Sequence, residues 1–354
     1  MPYKSRFPCE PPYISVPSFI FGLPTATIEE KEPVIIDANR PDTHFLTKLT
    51  YREWAKRFAA GLRAAGLKQG DRVMLFSGNN IFTPIVIMGT LMAGGIYNST
   101  NPAYTANELA YQLKICQPSF LLVADICMER AILGARQAGF NRNQIYLFSE
   151  PELSGKAREP SISAGSHKLF KDLIASAEDG AKFTWEELDT KEKSGRTALL
   201  IFSSGTTGLP KGVEVSHRNL VANIMQLTSM QTQTRKNPTK WVRRGLCCLP
   251  MYHALGLTFY NFVSPKAGIQ VYLMERWNLE EVLDHIQHFK ISELVMVPPM
   301  ILGIAKYPKI RDYDLSSIRK VQVGAAPLGL ELTAQFESIW DGRVRIRQVW
   351  GMSE

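Results

Sequence analysis

The chain has 354 residues, 45% of them hydrophobic and 21% charged, with a formal net charge of +8. That length allows about two domains and a core that needs no staples, and the composition is globular, which excludes a disordered or fibrous chain. Five of the positive charges, Arg235, Lys236, Lys240, Arg243 and Arg244, fall in one short segment that reads as a solvated basic loop. Only Trp241 interleaves them, so a nucleic-acid face is not expected. The cysteines Cys9, Cys116, Cys127, Cys247 and Cys248 form no CxxC pair and read as reduced core thiols. With no apolar h-region at the N-terminus and no membrane-length apolar run, an intracellular soluble protein is expected.

Residues 1–48 carry Pro8, Pro11, Pro12, Pro17, Pro24 and Pro33, which suggests an extended arm laid over the body. Thr50-Tyr51-Arg52-Glu53 has the form of a capping box. Tyr51, Trp54, Ala55, Phe58, Ala59 and Leu62 follow at helical spacing, with Gly66 as a stop. Asp71–Ser77 reads as a buried strand and Ile85–Ala93 as an apolar helix ending at Gly94-Gly95. A second capping box, Thr105–Glu108, opens a helix with Leu109 and Leu113, and Phe120–Ala124 and Ile145–Phe148 read as strands. Residues 150–196 lose the pattern, apart from a short amphipathic piece at Leu169–Ile174, and read as a connection.

A strand over Thr197–Phe202 restarts the alternation, and Leu220–Met230 is helical in pattern. Leu246–Leu249, Ile269–Met274, Glu293–Val297, Lys320–Val323 and Val344–Trp350 read as strands, and Asn278–Glu281 caps a helix bearing Val282, Leu283, Ile286 and Phe289. Strands alternating with helices imply parallel βαβ winding. The expected fold is therefore α/β, with two doubly wound βαβ subdomains: an arm over 1–48, a first subdomain with its polar connection over 49–195, and a second over 196–354.

Ser203-Ser204-Gly205-Thr206-Thr207-Gly208-Leu209-Pro210-Lys211-Gly212 follows the strand at Thr197. Its glycines let backbone N–H groups turn toward an anion, its hydroxyls add donors and Lys211 adds full charge, which together make a phosphate cradle. A Walker A loop does not fit, because Lys211 lies between Pro210 and Gly212. Three more stretches follow predicted strands: Pro250–Leu257 with His253, Gly324-Ala325-Ala326-Pro327-Leu328, and Gly351-Met352-Ser353-Glu354. In doubly wound sheets ligands bind beyond the carboxyl ends of strands.

The Ser203–Gly212 stretch resembles the phosphate-binding signature of the adenylate-forming (AMP-binding) superfamily, and Asn101–Thr105 through Gln112-Leu113 resembles its 4-coumarate:CoA-ligase-like branch of acyl-CoA synthetases. Gln348-Val349-Trp350-Gly351-Met352-Ser353-Glu354 is similar to the family's Gln-Gly-Tyr-Gly-Met-Thr-Glu. The resemblance implies that ATP is bound by Ser203, Ser204, Gly205, Thr206, Thr207, Gly208 and Lys211. It implies adenine against Gly324, Ala325, Ala326 and Pro327, with Gln348, Trp350, Gly351, Met352 and Ser353 completing the nucleotide site. His253 would face the acyl carboxylate and thioester path. Leu255, Met300, Ala325 and Val349 would line the acyl pocket, where Val349 replaces a glycine and narrows it. Arg276 stands where the branch has a lysine near the CoA phosphates, and Glu354 would ligate Mg²⁺, which suits hard oxygen donors.

The implied reaction joins a carboxylic acid to AMP, with loss of pyrophosphate, and then to CoA, with Lys211, His253 and Glu354 as the catalytic set. The apolar pocket, with no acidic residue beside His253, fits an aromatic or fatty acid better than an amino acid, and the branch often serves specialised metabolism. The resemblance further implies that a small barrel and a mobile C-terminal domain would lie beyond Glu354, so full activity of this chain alone is an open expectation. The alternatives are a non-catalytic nucleotide-binding remnant and an amino-acid-activating adenylation domain. A cytoplasmic or peroxisomal location is expected, with no targeting tripeptide at Met352-Ser353-Glu354.

Overall fold

The computed structural model describes residues 9–29, 31–151, 153, 167–203, 209–233 and 242–353, with 230–233 as backbone only. Among them are fourteen strands: β1 (Pro33–Asp37), β2 (Phe45–Thr47), β3 (Arg72–Phe76), β4 (Ile96–Thr100), β5 (Phe120–Ala124), β6 (Ile145–Phe148) and β7 (Lys168–Leu169) in the first half. The second half holds β8 (Thr197–Ser203), β9 (Lys211–Ser216), β10 (Arg244–Cys247), β11 (Gln270–Leu273), β12 (Glu293–Met296), β13 (Lys320–Val323) and β14 (Ile346–Gln348). They form two seven-stranded sheets, β7-β6-β5-β3-β4-β8-β9 and β14-β13-β12-β10-β11-β1-β2. Every pairing is parallel except β8–β9 and β1–β2.

The parallel strands are short apolar runs because helices cover both faces of each sheet; Phe120–Val123, Ile145–Phe148 and Glu293–Met296 are buried throughout. One core runs between the sheets and includes Phe58, Phe82, Leu199, Leu246 and Val271. A smaller core lies under the helices Ala106–Cys116 and Met128–Ala138, where Leu109, Leu113, Met128 and Ala131 pack. Cys116, Cys127, Cys247 and Cys248 are buried free thiols, and burial pushes those of Cys116 and Cys248 up to about 12. No helix among the described residues is long and apolar enough to cross a membrane.

The sheets do not follow the boundaries read from the sequence. Strands β8 and β9 close the edge of the first sheet, and β1 and β2 close the edge of the second. The N-terminal segment is thus not an extended arm throughout, since it holds the helix Val16–Phe21 as well as β1 and β2. Strand β9 was not foreseen. Its six residues pair antiparallel with β8 from Ser203–Lys211 to Thr197–Ser216, so the two ends of the phosphate-cradle sequence lie on paired strands.

Two local expectations also change. The first capping box uses Thr47 and Thr50, one turn ahead of Thr50 and Glu53: Thr47 accepts from the Thr50 N–H at 3.1 Å, and Thr50 Oγ1 accepts from the Thr47 N–H at 3.0 Å. The strand β2 ends on Thr47 in extended geometry, with ψ 167°, which is the backbone that an N-cap needs. The basic segment is not wholly a solvated loop. Arg243 is buried and forks onto both carboxylate oxygens of Glu293, the second at 2.9 Å, while Arg244 starts β10 and bonds Gln270 and the Phe289 carbonyl. Arg235, Lys236 and Lys240 lie outside the described residues.

Candidate active site

The parallel strands of the two sheets send their carboxyl ends toward a shared cleft. A cavity of about 750 Å³ occupies it, walled by residues that follow β1, β3, β5, β6, β10, β11 and β12. Arg276 and Met300 are on its wall, as are Ser77, Asn79, Tyr252 and Trp277. Asp125, Glu150, Glu275 and Glu281 are there too, so Arg276 stands among carboxylates. A second cavity of about 420 Å³ adjoins it and shares Asn39, Asn79, Asn80, Glu150 and Glu275.

His253 follows β10 and opens the short helix Ala254–Thr258. It is exposed, its ring lies 4.7 Å from that of Tyr252, and no hydrogen bond holds the ring among the described residues. Loss of solvent on its packed side lowers its pKa below the ordinary histidine value, so at neutral pH it is an uncharged base. A structural histidine looks different, as His217 shows. His217 is 4% exposed and accepts the Val16 N–H on Nδ1 at 3.2 Å.

Gly324 and Val349, at the ends of β13 and β14, meet Leu255 of the helix Ala254–Thr258. A Cβ on Gly324 would stand 2.9 Å from Val349 Cγ2, 3.2 Å from its carbonyl oxygen and 3.6 Å from Leu255 Cδ2, so any larger residue would force Val349 to shift. Ala325 has φ 70°, in the left-handed region that a residue with a Cβ rarely enters, and strain of this kind gathers at ligand sites. Ala325, Ala326 and Pro327 are exposed on the turn, as are Trp350, Gly351 and Met352 beyond β14, and Ser353 is half-buried. Gln348 is partly committed to structure: its amide donates to the Leu328 carbonyl and accepts the Leu328 N–H, each at 3.2 Å, which pins the Gly324–Leu328 turn to β14.

Ser203 and Lys211 face each other as the last pair of the β8–β9 hairpin, and Lys211 is exposed. Ser204, Gly205, Thr206, Thr207 and Gly208 lie outside the described residues, and so does Glu354. No hydrogen bond or ion pair among the described residues joins Lys211 to the Gly324–Val349 group. No cluster of three or more His, Cys, Asp or Glu side chains able to hold a metal is found among the described residues.

The chain matches the AMP-binding enzyme family over residues 29–354. It belongs to that family. It is 32% identical over 346 residues to a phenylacetyl-CoA ligase of Aspergillus niger, covering 97% of this chain and 61% of that protein. It is 30% identical over 331 residues to a probable 4-coumarate–CoA ligase of Dictyostelium discoideum, covering 89% and 58%. The chain thus spans about 60% of the length of these relatives. Its fold is shared with a long-chain-fatty-acid-CoA ligase of Archaeoglobus fulgidus, at a TM-score of 0.79 and 23% identity over 99% of this chain and 67% of that one. The described residues hold the two α/β sheets of the family and no closed barrel.

Asn79 and Ser99 escaped the sequence reading. Each reaches from the first sheet to the backbone beside His253. Nothing in the sequence sets either apart from the Asn and Ser common in turns and strand ends.

Proposed function

We propose that the chain activates a carboxylic acid with ATP, forming an acyl-adenylate and releasing pyrophosphate, and that the acyl group then passes to the thiol of CoA. The observation that carries this reading is the convergence of Leu255, Gly324 and Val349 from three separate stretches beyond β10, β13 and β14, with the exposed His253 two residues before Leu255. An apolar contact group next to a neutral imidazole is suited to an acid with an aromatic or aliphatic body.

In the first step a carboxylate oxygen attacks the α-phosphorus in line, a P–O bond forms and the bond to pyrophosphate breaks. Lys211 would stabilise the charge gathering on the phosphate oxygens, and the Ser203–Gly208 backbone and hydroxyls would orient them. In the second step the thiol sulfur attacks the acyl carbon and AMP leaves. A neutral His253 would accept a hydrogen bond from the thiol as its proton departs. Arg276, on the cavity wall, is the proposed contact for the CoA phosphates, and the cavity that joins it to Tyr252 would be the route to His253. Mg²⁺, when bound with ATP, would neutralise phosphate charge and take Glu354 as a ligand.

The test is acid-dependent exchange of labelled pyrophosphate into ATP, with a panel of aromatic, aliphatic and amino acids, followed by thioester formation with CoA. Exchange driven by aromatic or fatty acids is the expected result, and Lys211→Ala should reduce it about 100-fold with the thermal unfolding midpoint unchanged. ATP binding with no exchange on any acid would refute the reading, and exchange driven only by amino acids would refute the substrate class.

A further inference from the structure

Asn79 follows β3 in the turn Ser77–Asn80, is 7% exposed and lines both cavities. Its Nδ2 donates to the carbonyls of Leu249 and Met274, each at 3.0 Å, and its Oδ1 accepts the Met251 N–H at 2.8 Å. A carboxamide offers two donors and an acceptor in one plane, and here both donors and the acceptor serve the ends of β10 and β11 in the opposite sheet. Buried backbone groups leaving a strand need partners, and these find theirs in one side chain from the other sheet. Ser99, in β4 and 5% exposed, donates its hydroxyl to the Tyr252 carbonyl at 3.0 Å.

Between them the two side chains hold residues 249, 251 and 252, and the next residue is His253. The turn is tight on its far side as well. A Cβ on Gly256 would fall 2.2 Å from the Pro250 carbonyl oxygen, and the His253 N–H donates to that same oxygen at 3.3 Å. With no hydrogen bond to its ring among the described residues, His253 is placed by its backbone and by the Tyr252 ring packed against it, and Ser99 holds the Tyr252 backbone as well. We infer that Asn79, helped by Ser99, is a positioning residue for the acyl-transfer chemistry: it fixes the Leu249–His253 turn from across the cleft and thereby aims the His253 imidazole at the reacting carboxyl. This inference rests on the function proposed above. Aspartate would keep the acceptor but lose both donors, and serine is too short to span the two strand ends, so the bonding pattern selects asparagine.

The experiment is a double-mutant cycle on the 354-residue chain. Binding of a non-reactive acyl-adenylate mimic, a phenylacetyl sulfamoyl adenosine, is measured by calorimetry for the wild type, Asn79→Ala, His253→Ala and the double variant. Each single change is expected to weaken binding about tenfold, and the double variant to bind about as well as either single one, because removing the imidazole has no effect once it is no longer aimed. Multiplying losses would overturn the inference, as would unaltered binding by Asn79→Ala. Ser99→Ala deletes one bond to the same turn and is run in a parallel cycle with His253→Ala, so the question stays answerable if Asn79→Ala does not fold. In that cycle a few-fold loss that vanishes in the His253→Ala background supports the inference, and additivity overturns it. Absence of mimic binding by the wild type overturns the functional reading together with the inference, whereas wild-type binding with additive cycles overturns the inference alone.

Discussion

The buried histidine at 217 makes the stability of this chain depend on pH, and the size of the effect follows from its surroundings. His217 Nδ1 accepts the Val16 N–H, which requires a neutral ring with its proton on Nε2, and the side chain is almost wholly buried. Desolvation, reinforced by the nearby Arg196 charge, lowers its pKa from 6.5 to about 4. Above pH 6.5 both folded and unfolded chains hold a neutral ring and nothing is lost. As pH falls from 6.5 toward 4 the unfolded chain takes up a proton that the native chain refuses, so stability declines by about 1.4 kcal/mol per pH unit. Below about 4 the native ring is protonated too and the loss stops growing, at roughly 3 kcal/mol in all. Asparagine can present an oxygen to the Val16 N–H without titrating. Urea unfolding of wild type and His217→Asn, followed by circular dichroism between about pH 7 and about pH 4.5, should therefore give curves that converge on acidification, with the variant losing about 2–3 kcal/mol less than wild type. Parallel losses in the two proteins would refute both the burial and the assigned tautomer. The segment released first should be the N-terminal one, since the Val16 N–H at the start of the helix Val16–Phe21 loses its acceptor when the His217 ring is protonated.

Three other perturbations follow. On the proposed function, in which CoA would enter only in the second step, Arg276→Ala should raise the KM for CoA about tenfold, the worth of one charge-assisted hydrogen bond, and leave acid-dependent pyrophosphate exchange unchanged. Glu293→Gln removes the carboxylate that Arg243 forks onto and that Lys320 approaches at 3.6 Å. It should destabilise the chain by about 3–5 kcal/mol in urea unfolding, the usual result of stranding a buried charge. Val349→Gly vacates the space against Gly324 and, on the proposed function, should move the kcat/KM ratio toward bulkier acids by at least about tenfold, which an acid panel in the exchange assay would measure.

Much of the fold was legible because apolar runs of strand length alternate with capped helices, and parallel strands covered on both faces must be nearly all apolar. The Thr105–Glu108 capping box, and Asn278 accepting the Glu281 N–H at 3.1 Å, lie where the sequence put them because a cap is a contact between residues three apart. Strand β9 was not legible for the opposite reason. Lys211–Ser216 contains only Val213 and Val215 as large apolar residues, and it is a strand by virtue of pairing with β8 across the cradle loop. Arg243 was misread in the same way, since the carboxylate that draws it inward lies fifty positions later. Local chemistry could be read; partners supplied by another part of the chain could not.

The two histidines carry that distinction into the site. Each adjoins a run of hydroxyl, aromatic or small residues, and only the place of His253 after a strand and the family resemblance, not its local chemistry, marked it apart from His217. Burial and bonding separate them: His217 gives its acceptor to Val16 and is almost wholly buried, whereas His253 is exposed and no hydrogen bond holds its ring among the described residues. An exposed side chain without ring hydrogen bonds would normally sample several rotamers, and a reacting group cannot afford that freedom. Beyond the packing of the Tyr252 ring, the constraint then acts on the backbone beneath it. Here it comes from the other sheet, through Asn79 and Ser99, so the relative position of the two sheets and the direction of His253 are parts of one structural fact.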